Sequence, residues 1–303
     1  MANSWVQSLR DAGDVLRRAR NPAELARALV PNRWLRRKVL NEAHAVTSGV
    51  PSTEVAESLR KLHNELKREA IGKDGHVDYA GLRASPTFLQ MQRTSGLLSA
   101  INPEEMRDDA MITAFWLNLY NVLAIHGVIA LGIRESVMEI PSFFGVVGYR
   151  VGRFVLTLDE IENGVLRRNA PHPATGSRLF DDDDPRLYLC PSHIDPRIHA
   201  ALVCASTSCP PVAFYEASEL DRQLELAALN YVASDVEVDS GGRTVRVPIT
   251  FRYYQSDFGR IEGVRLFLME HARGAQREAL GAAFRDGYRL DYHRYDWSLN
   301  SLA

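Results

Sequence analysis

The sequence predicts an α+β fold: a long buried central helix packed on a mainly antiparallel sheet, behind an all-helical N-terminal extension. Three observations carry this expectation. Residues 111–131 form the longest apolar run, interrupted only by Thr113, Asn118, Tyr120, Asn121 and His126, with no proline. Upstream of that run apolar residues recur at helical spacing, and downstream of Gly132 the spacing switches to two, in segments that face each other across short polar turns. Helices first and hairpins later are the order of an α+β chain, not of alternating βαβ units.

Residues 1–50 read as a basic helical extension and 51–303 as a single α+β domain. Within 1–45, nine Arg or Lys stand against four Asp or Glu. Trp5, Leu9, Ala12, Val15 and Leu16 line one helical face, Asn21-Pro22 opens a second short helix, and Pro31-Asn32 breaks it. A basic amphipathic surface of this kind suits packing on the domain or peripheral contact with anionic lipid. The next helix spans 52–70, with Val55, Leu59, Leu62 and Leu66 as its apolar stripe. An extended piece and turn over 76–82 precede a helix over 85–100 opened by Ser85-Pro86. The central helix is expected over 104–131, with Asn102-Pro103 as its start and Gly132 as its C′ residue.

Gly152-Arg153 joins segments 145–151 and 154–156 as a hairpin. Thr157-Leu158-Asp159-Glu160 is a capping box for a helix to 168, and 170–185 is a surface loop whose four consecutive Asp, 181–184, are solvated. Residues 197–204 are expected as a buried strand, followed by an irregular bend over 205–211 and a helix over 218–234. A second hairpin, 236–238 with 244–249, turns at 239–242; helices follow over 261–273 and 275–284, and a terminal strand over 289–299. Tyr295, Asp296 and Trp297 would pack that strand onto the sheet.

A net charge of -2 and a pI near 6.5 give no basic field and argue against a nucleic-acid partner. No GxxxxGKS or GxGxxG loop is present, and no cofactor is expected. The first residues lack a basic-then-apolar leader, and three cysteines do not make a disulfide framework, so a cytoplasmic location is expected. The run 111–131 is long enough for a bilayer, but Asn118, Asn121 and His126 would be costly there. Buried in a soluble core instead, each must find hydrogen-bond partners.

That demand, with the cysteines, points to chemistry. A thiol nucleophile needs a base to ionise it and a group to orient the base. Cys204 and Cys209 flank the bend, His126 is the candidate base, and Glu160, Asn118 or Asn121 the orienter. The expected activity is thiol-dependent acyl transfer or hydrolysis on a peptide-like substrate. Asn118, Asn121, Arg197, His199 and Ser208 form the substrate-binding set, Arg197 anchoring an anion unless Glu160 or Asp257 neutralises it. The alternative is a non-catalytic scaffold for a peptide or protein partner, in which Asn118, Asn121, His126, Glu160 and Arg197 are a buried polar network. A structural zinc site from Cys190, His193, His199, Cys204 and Cys209 lacks the two close ligand pairs such sites show, and no metal ligand is assigned. A reversible Cys204–Cys209 disulfide lacks the helix-start CxxC that lowers a redox thiol's pKa. Nothing in the residues specifies an oligomeric state.

The segments FWLNLYNVLAIHGVI, LTLDEIENGVLR, DPRIHAALVCASTSCPP and YDWSLN, with VDYAGL at 77–82, resemble the domain of unknown function 547 family, over roughly 75–300. Members pair the Asn-and-His helix with the cysteine loop, and the domain occurs in bacteria and, fused to other modules, in plants and animals. The resemblance assigns no activity. Many bacterial relatives look exported, unlike this chain, and its first 70 or so residues fall outside the shared motifs.

Overall fold

One burial demand organises the fold: the helix Asp109–Leu131 has no polar face to turn to water, so the remaining elements surround it. It is the one helix among the described residues long and apolar enough to cross a membrane, and 89% of its most apolar stretch is buried inside the protein. The computed structural model describes residues 37–46, 51–72 and 75–302. The helices expected within 1–36 lie outside the described residues.

In chain order, β1 (Lys38–Val39) leads to α1 (Ser52–Ala70), α2 (Tyr79–Ala84) and α3 (Pro86–Ser95). Asp78 and Ser85 cap α2 and α3 by accepting from the backbone N–H of Gly81 and Phe88. The central helix is α4 (Asp109–Leu131), and the short α5 (Phe143–Val146) feeds β2 (Val147–Val151) and β3 (Phe154–Thr157). Sheet order is β1-β2-β3, with β1 parallel and β3 antiparallel to β2. Gly127 lets α4 approach this sheet: a Cβ there would stand 2.9 Å from Val147 Cγ1. A π-helix, Glu160–Leu166, follows β3, with the wide Arg167 N–H to Glu162 carbonyl bond of 2.9 Å.

The last part contains α6 (Leu220–Asp235), β4 (Glu237–Asp239), β5 (Thr244–Val247), α7 (Thr250–Tyr253), α8 (Arg260–His271), α9 (Gly274–Arg285) and β6 (Arg289–Tyr292). Its sheet runs β4-β5-β6, antiparallel then parallel. A second apolar cluster built on Tyr231, Phe251, Phe258 and Phe267 sits under it, beside the larger cluster around α4.

The α+β class, the buried helix and both hairpins match the sequence reading. Five details differ. In place of one mainly antiparallel sheet there are two small mixed ones, because β1 and β6 each add in parallel to a hairpin. The central helix starts at Asp109, not near 104: Asn102 caps a separate 3-10 turn, Pro103–Glu105, and Asp108 accepts the Met111 N–H as the true N-cap. Residues 197–204 are not a strand; Asp195 caps a 3-10 turn, Pro196–Ala200, after which the chain runs irregularly to Cys204. The terminal strand ends at Tyr292, and beyond it Ser298, Leu299 and Ser301 make single bridges to Ser136, Ser206 and Val77. The extension is also not all-helical as expected: residues 37–46 supply the strand β1, drawn into the sheet by pairing with β2, and pack on the domain through it and through buried Asn41, which bonds to the Ser95 and Arg150 carbonyls.

Candidate functional site

The bend after Ala201 is held open from both sides. Asn121 on α4 donates to the Ala201 and Ala213 carbonyls at 3.0 and 3.1 Å and accepts the Val203 N–H at 2.9 Å. From the other side, Thr207 N–H donates to the Ser298 carbonyl and Asp296 N–H to Ser208 Oγ, both at 2.8 Å. Ala205 takes the left-handed conformation, φ +66°, which for an alanine costs roughly 1–3 kcal/mol and persists because both anchors fix the backbone around it.

This path turns Cys204 and Cys209 toward each other, with Sγ atoms 2.8 Å apart. Cys204 N–H points at Cys209 Sγ at 3.0 Å. The Tyr295 hydroxyl lies 3.0 Å from Cys204 Sγ and 3.3 Å from Cys209 Sγ, and Ser206 Oγ donates to that hydroxyl at 2.9 Å. Burial pushes the Cys209 thiol up, but hydrogen bonds from Cys204, Ser206 and Tyr295 favour its anion more strongly, and the net result is a thiol brought down to about 6. Cys204 moves the opposite way, well above the ordinary thiol range, because of burial and the neighbouring charge on Cys209. Burial, then the two sulfurs, also raises Tyr295, which keeps its phenol protonated as a donor.

Cys204 of the pair opens on a cleft of about 90 Å³ between the two apolar clusters, lined also by Ser208, Tyr295, His199, Glu162 and Tyr254 among others. That volume admits several waters or a short stretch of ligand. Behind the His199 and Tyr254 side of this lining lies a buried ion pair. Arg167 and Asp257, each with a side chain 1% exposed, pair through Nη2 and Oδ1 at 2.9 Å, and His199 Nε2 reaches Asp257 Oδ2 at 2.9 Å. Burial would raise Asp257, but His199 and Arg167 hold it far below the carboxylate range. The His199 ring stacks on Tyr254 at 4.1 Å, and Glu162 accepts both the Tyr120 and Tyr254 hydroxyls.

Of the residues singled out in the sequence, Cys204, Ser208 and His199 line this cleft, and Cys209 touches Cys204. The others do not. His126 is hydrogen-bonded through Nδ1 to Tyr149 at 2.7 Å and through Nε2 to Gln92 at 3.0 Å, so neither ring nitrogen serves a cysteine. Glu160 accepts from Arg186 at 2.6 Å, Arg37 at 2.9 Å and the Thr157 N–H at 2.9 Å, which makes it a structural ion-pair hub. Asn118 exchanges two bonds with the Tyr215 backbone, and Asn121 clamps the bend as described, so both position loops. Arg197 is neutralised by Asp195 and Asp221, not by Glu160 or Asp257. The conceivable zinc ligands scatter: Cys190 Sγ faces the Gly164 carbonyl, His193 sits by Asp109 and His199 by Asp257. Among the described residues no three His, Cys, Asp or Glu side chains group as a metal would need.

Sequence reasoning missed Tyr295, Glu162 and the Arg167–Asp257 pair. For Glu162 the sequence carried no signal, since the π-helix that bears its carboxylate at the cleft is seen only in the structure.

The fold and site together define an α+β domain with a dithiol at the rim of an aromatic and ionic cleft. Residues 103–232 match the family described as protein of unknown function, DUF547. The matched span holds the central helix, the π-helix and the cysteine bend. VDYAGL and YDWSLN lie outside it, yet they meet in space, Tyr79 donating its hydroxyl to Asn300 Oδ1 at 2.7 Å. No curated protein and no solved structure matches the chain.

Proposed function

We propose that the cleft performs thiol–disulfide exchange on a peptide-like disulfide, with Cys204 and Cys209 as the reacting dithiol. The observation that carries this reading is the 2.8 Å contact between two sulfurs that both lie within hydrogen-bond reach of the Tyr295 and Ser206 hydroxyls. Moving the proton of Cys204 to the Cys209 thiolate places the anion on the sulfur that lines the cleft. Cys204 Sγ then attacks one substrate sulfur, a mixed disulfide forms, and the other substrate sulfur leaves as a thiolate that takes a proton from Cys209. The Cys209 thiolate attacks Cys204 Sγ, closes the intramolecular disulfide and expels the second substrate sulfur. The substrate gains two electrons, the dithiol loses two, and a low-molecular-weight dithiol reductant restores the enzyme.

The test uses a disulfide-linked fluorescent peptide with dithiothreitol as reductant. Catalysed reduction that disappears in both Cys204→Ser and Cys209→Ser, with the mixed disulfide trapped on Cys204 in the latter, is the expected result. Unchanged turnover in either variant would overturn it.

A second reading, thiol-dependent acyl transfer, is favoured by one further observation: His199, oriented by Asp257, lines the same cleft as Cys204. It replaces His126 as the candidate base. A thioester that accumulates on Cys204 with an activated peptide ester, survives Cys209→Ser and is lost in His199→Gln selects this reading over the first.

A further inference from the structure

A second cavity, of about 290 Å³, lies on the other side of α4, between that helix, α1 and residues 215–218. Its walls are apolar, with Leu59, Met111, Ala114, Phe115 and Leu119, and His63 joins them. His63 is 1% exposed and packs against Phe214 at 4.7 Å, yet neither ring nitrogen has a hydrogen-bond partner among the described residues. Burial pushes its pKa down to about 3, so the ring is neutral and presents one donor and one acceptor. Leaving both nitrogens of a buried imidazole without a partner is costly.

The rim decides the charge of what enters. Arg60 is already engaged by Glu57 at 2.8 Å and Glu216 at 3.4 Å, so an anion would meet two carboxylates for one guanidinium. A cation would have to give up its hydration against hydrocarbon and a neutral ring. A hydroxyl, which both donates and accepts, complements either tautomer of the imidazole. We propose that this pocket binds a small neutral aromatic or medium-chain alcohol, its apolar body against α4 and its hydroxyl on His63. The site is independent of the dithiol cleft.

The experiment titrates the full chain with p-cresol and with toluene, which has the same ring and methyl group but no hydroxyl. Wild-type protein is expected to bind p-cresol at least about tenfold more tightly, the size of one satisfied buried hydrogen bond. In His63→Phe that preference vanishes while toluene still binds, and in Ala114→Met, which fills the pocket, both are lost. The imidazole nitrogen resonances of His63 in the wild type move with p-cresol and not with toluene, a readout that needs no variant to fold. Equal affinity for the two probes, no binding of either, or unmoved His63 resonances would overturn the proposal.

Discussion

Replacing Tyr295 with phenylalanine removes one hydroxyl and keeps the ring that packs on Trp297 at 4.5 Å. The hydroxyl donates to a sulfur pair in which Cys209 titrates at about 6. A hydrogen bond to a charged group contributes about 1.5–3 kcal/mol, which corresponds to about 1–2 pKa units. The lower end applies, because Ser206 Oγ, released from the phenol, already lies 3.3 Å from each sulfur and can donate in its place. Losing a bond to the anion raises the pKa, so the Cys209 thiol should titrate about one unit higher in the variant. At pH about 6 the thiolate fraction then falls from about one half to about one tenth. Iodoacetamide labelling across pH, with thiolate ultraviolet absorbance as an independent readout, measures this. An unshifted or lowered apparent pKa would refute the assignment of Tyr295 as the donor that sustains the anion.

Two further outcomes follow from the same geometry. His126→Phe should leave thiol labelling and its pH profile unchanged, because the ring bonds to Gln92 and Tyr149, while destabilising the protein by about 1–3 kcal/mol. Burial holds His126 down at about 4, so the unfolded chain binds the extra proton between about pH 6.5 and 4; wild-type stability falls as pH drops through that window, and urea denaturation should show the slope reduced in the variant. Asp257→Asn leaves Arg167 buried without its counter-charge and should cost about 3–5 kcal/mol at neutral pH. Because the folded carboxyl is depressed, that stabilisation is present above the ordinary carboxylate pKa and is lost progressively in acid, so the stability difference between the two proteins should begin to narrow below about pH 4 and keep shrinking toward the depressed folded pKa.

Local features were legible in the sequence because their causes are local. The Gly152-Arg153 hairpin, the Thr157 to Glu160 capping box and α1 each depend on residues a few positions apart. Buried Asn118, Asn121 and His126 were legible as groups needing partners, and two of the three turned out to clamp the loops that shape the site. What they clamp was not legible. Apolar residues at 198–203 read as a strand, since the same run suits an irregular segment whose backbone bonds go to an Asn side chain 80 or so positions away. The donor that completes the sulfur pair lies 86 positions from Cys209, and Arg167 and Asp257 are 90 apart. No periodicity records such meetings, because they are set by how two apolar clusters dock.

The return of residues 295–301 to the cysteine bend bears on when the protein becomes reactive. A ribosome delivers Cys204 and Cys209 well before Tyr295, so during synthesis of the intervening stretch the sulfurs lack the phenol that sustains their anion. On the proposed reading, nucleophilicity arrives only when the C-terminal segment docks, which would tie the onset of chemistry to the completion of folding.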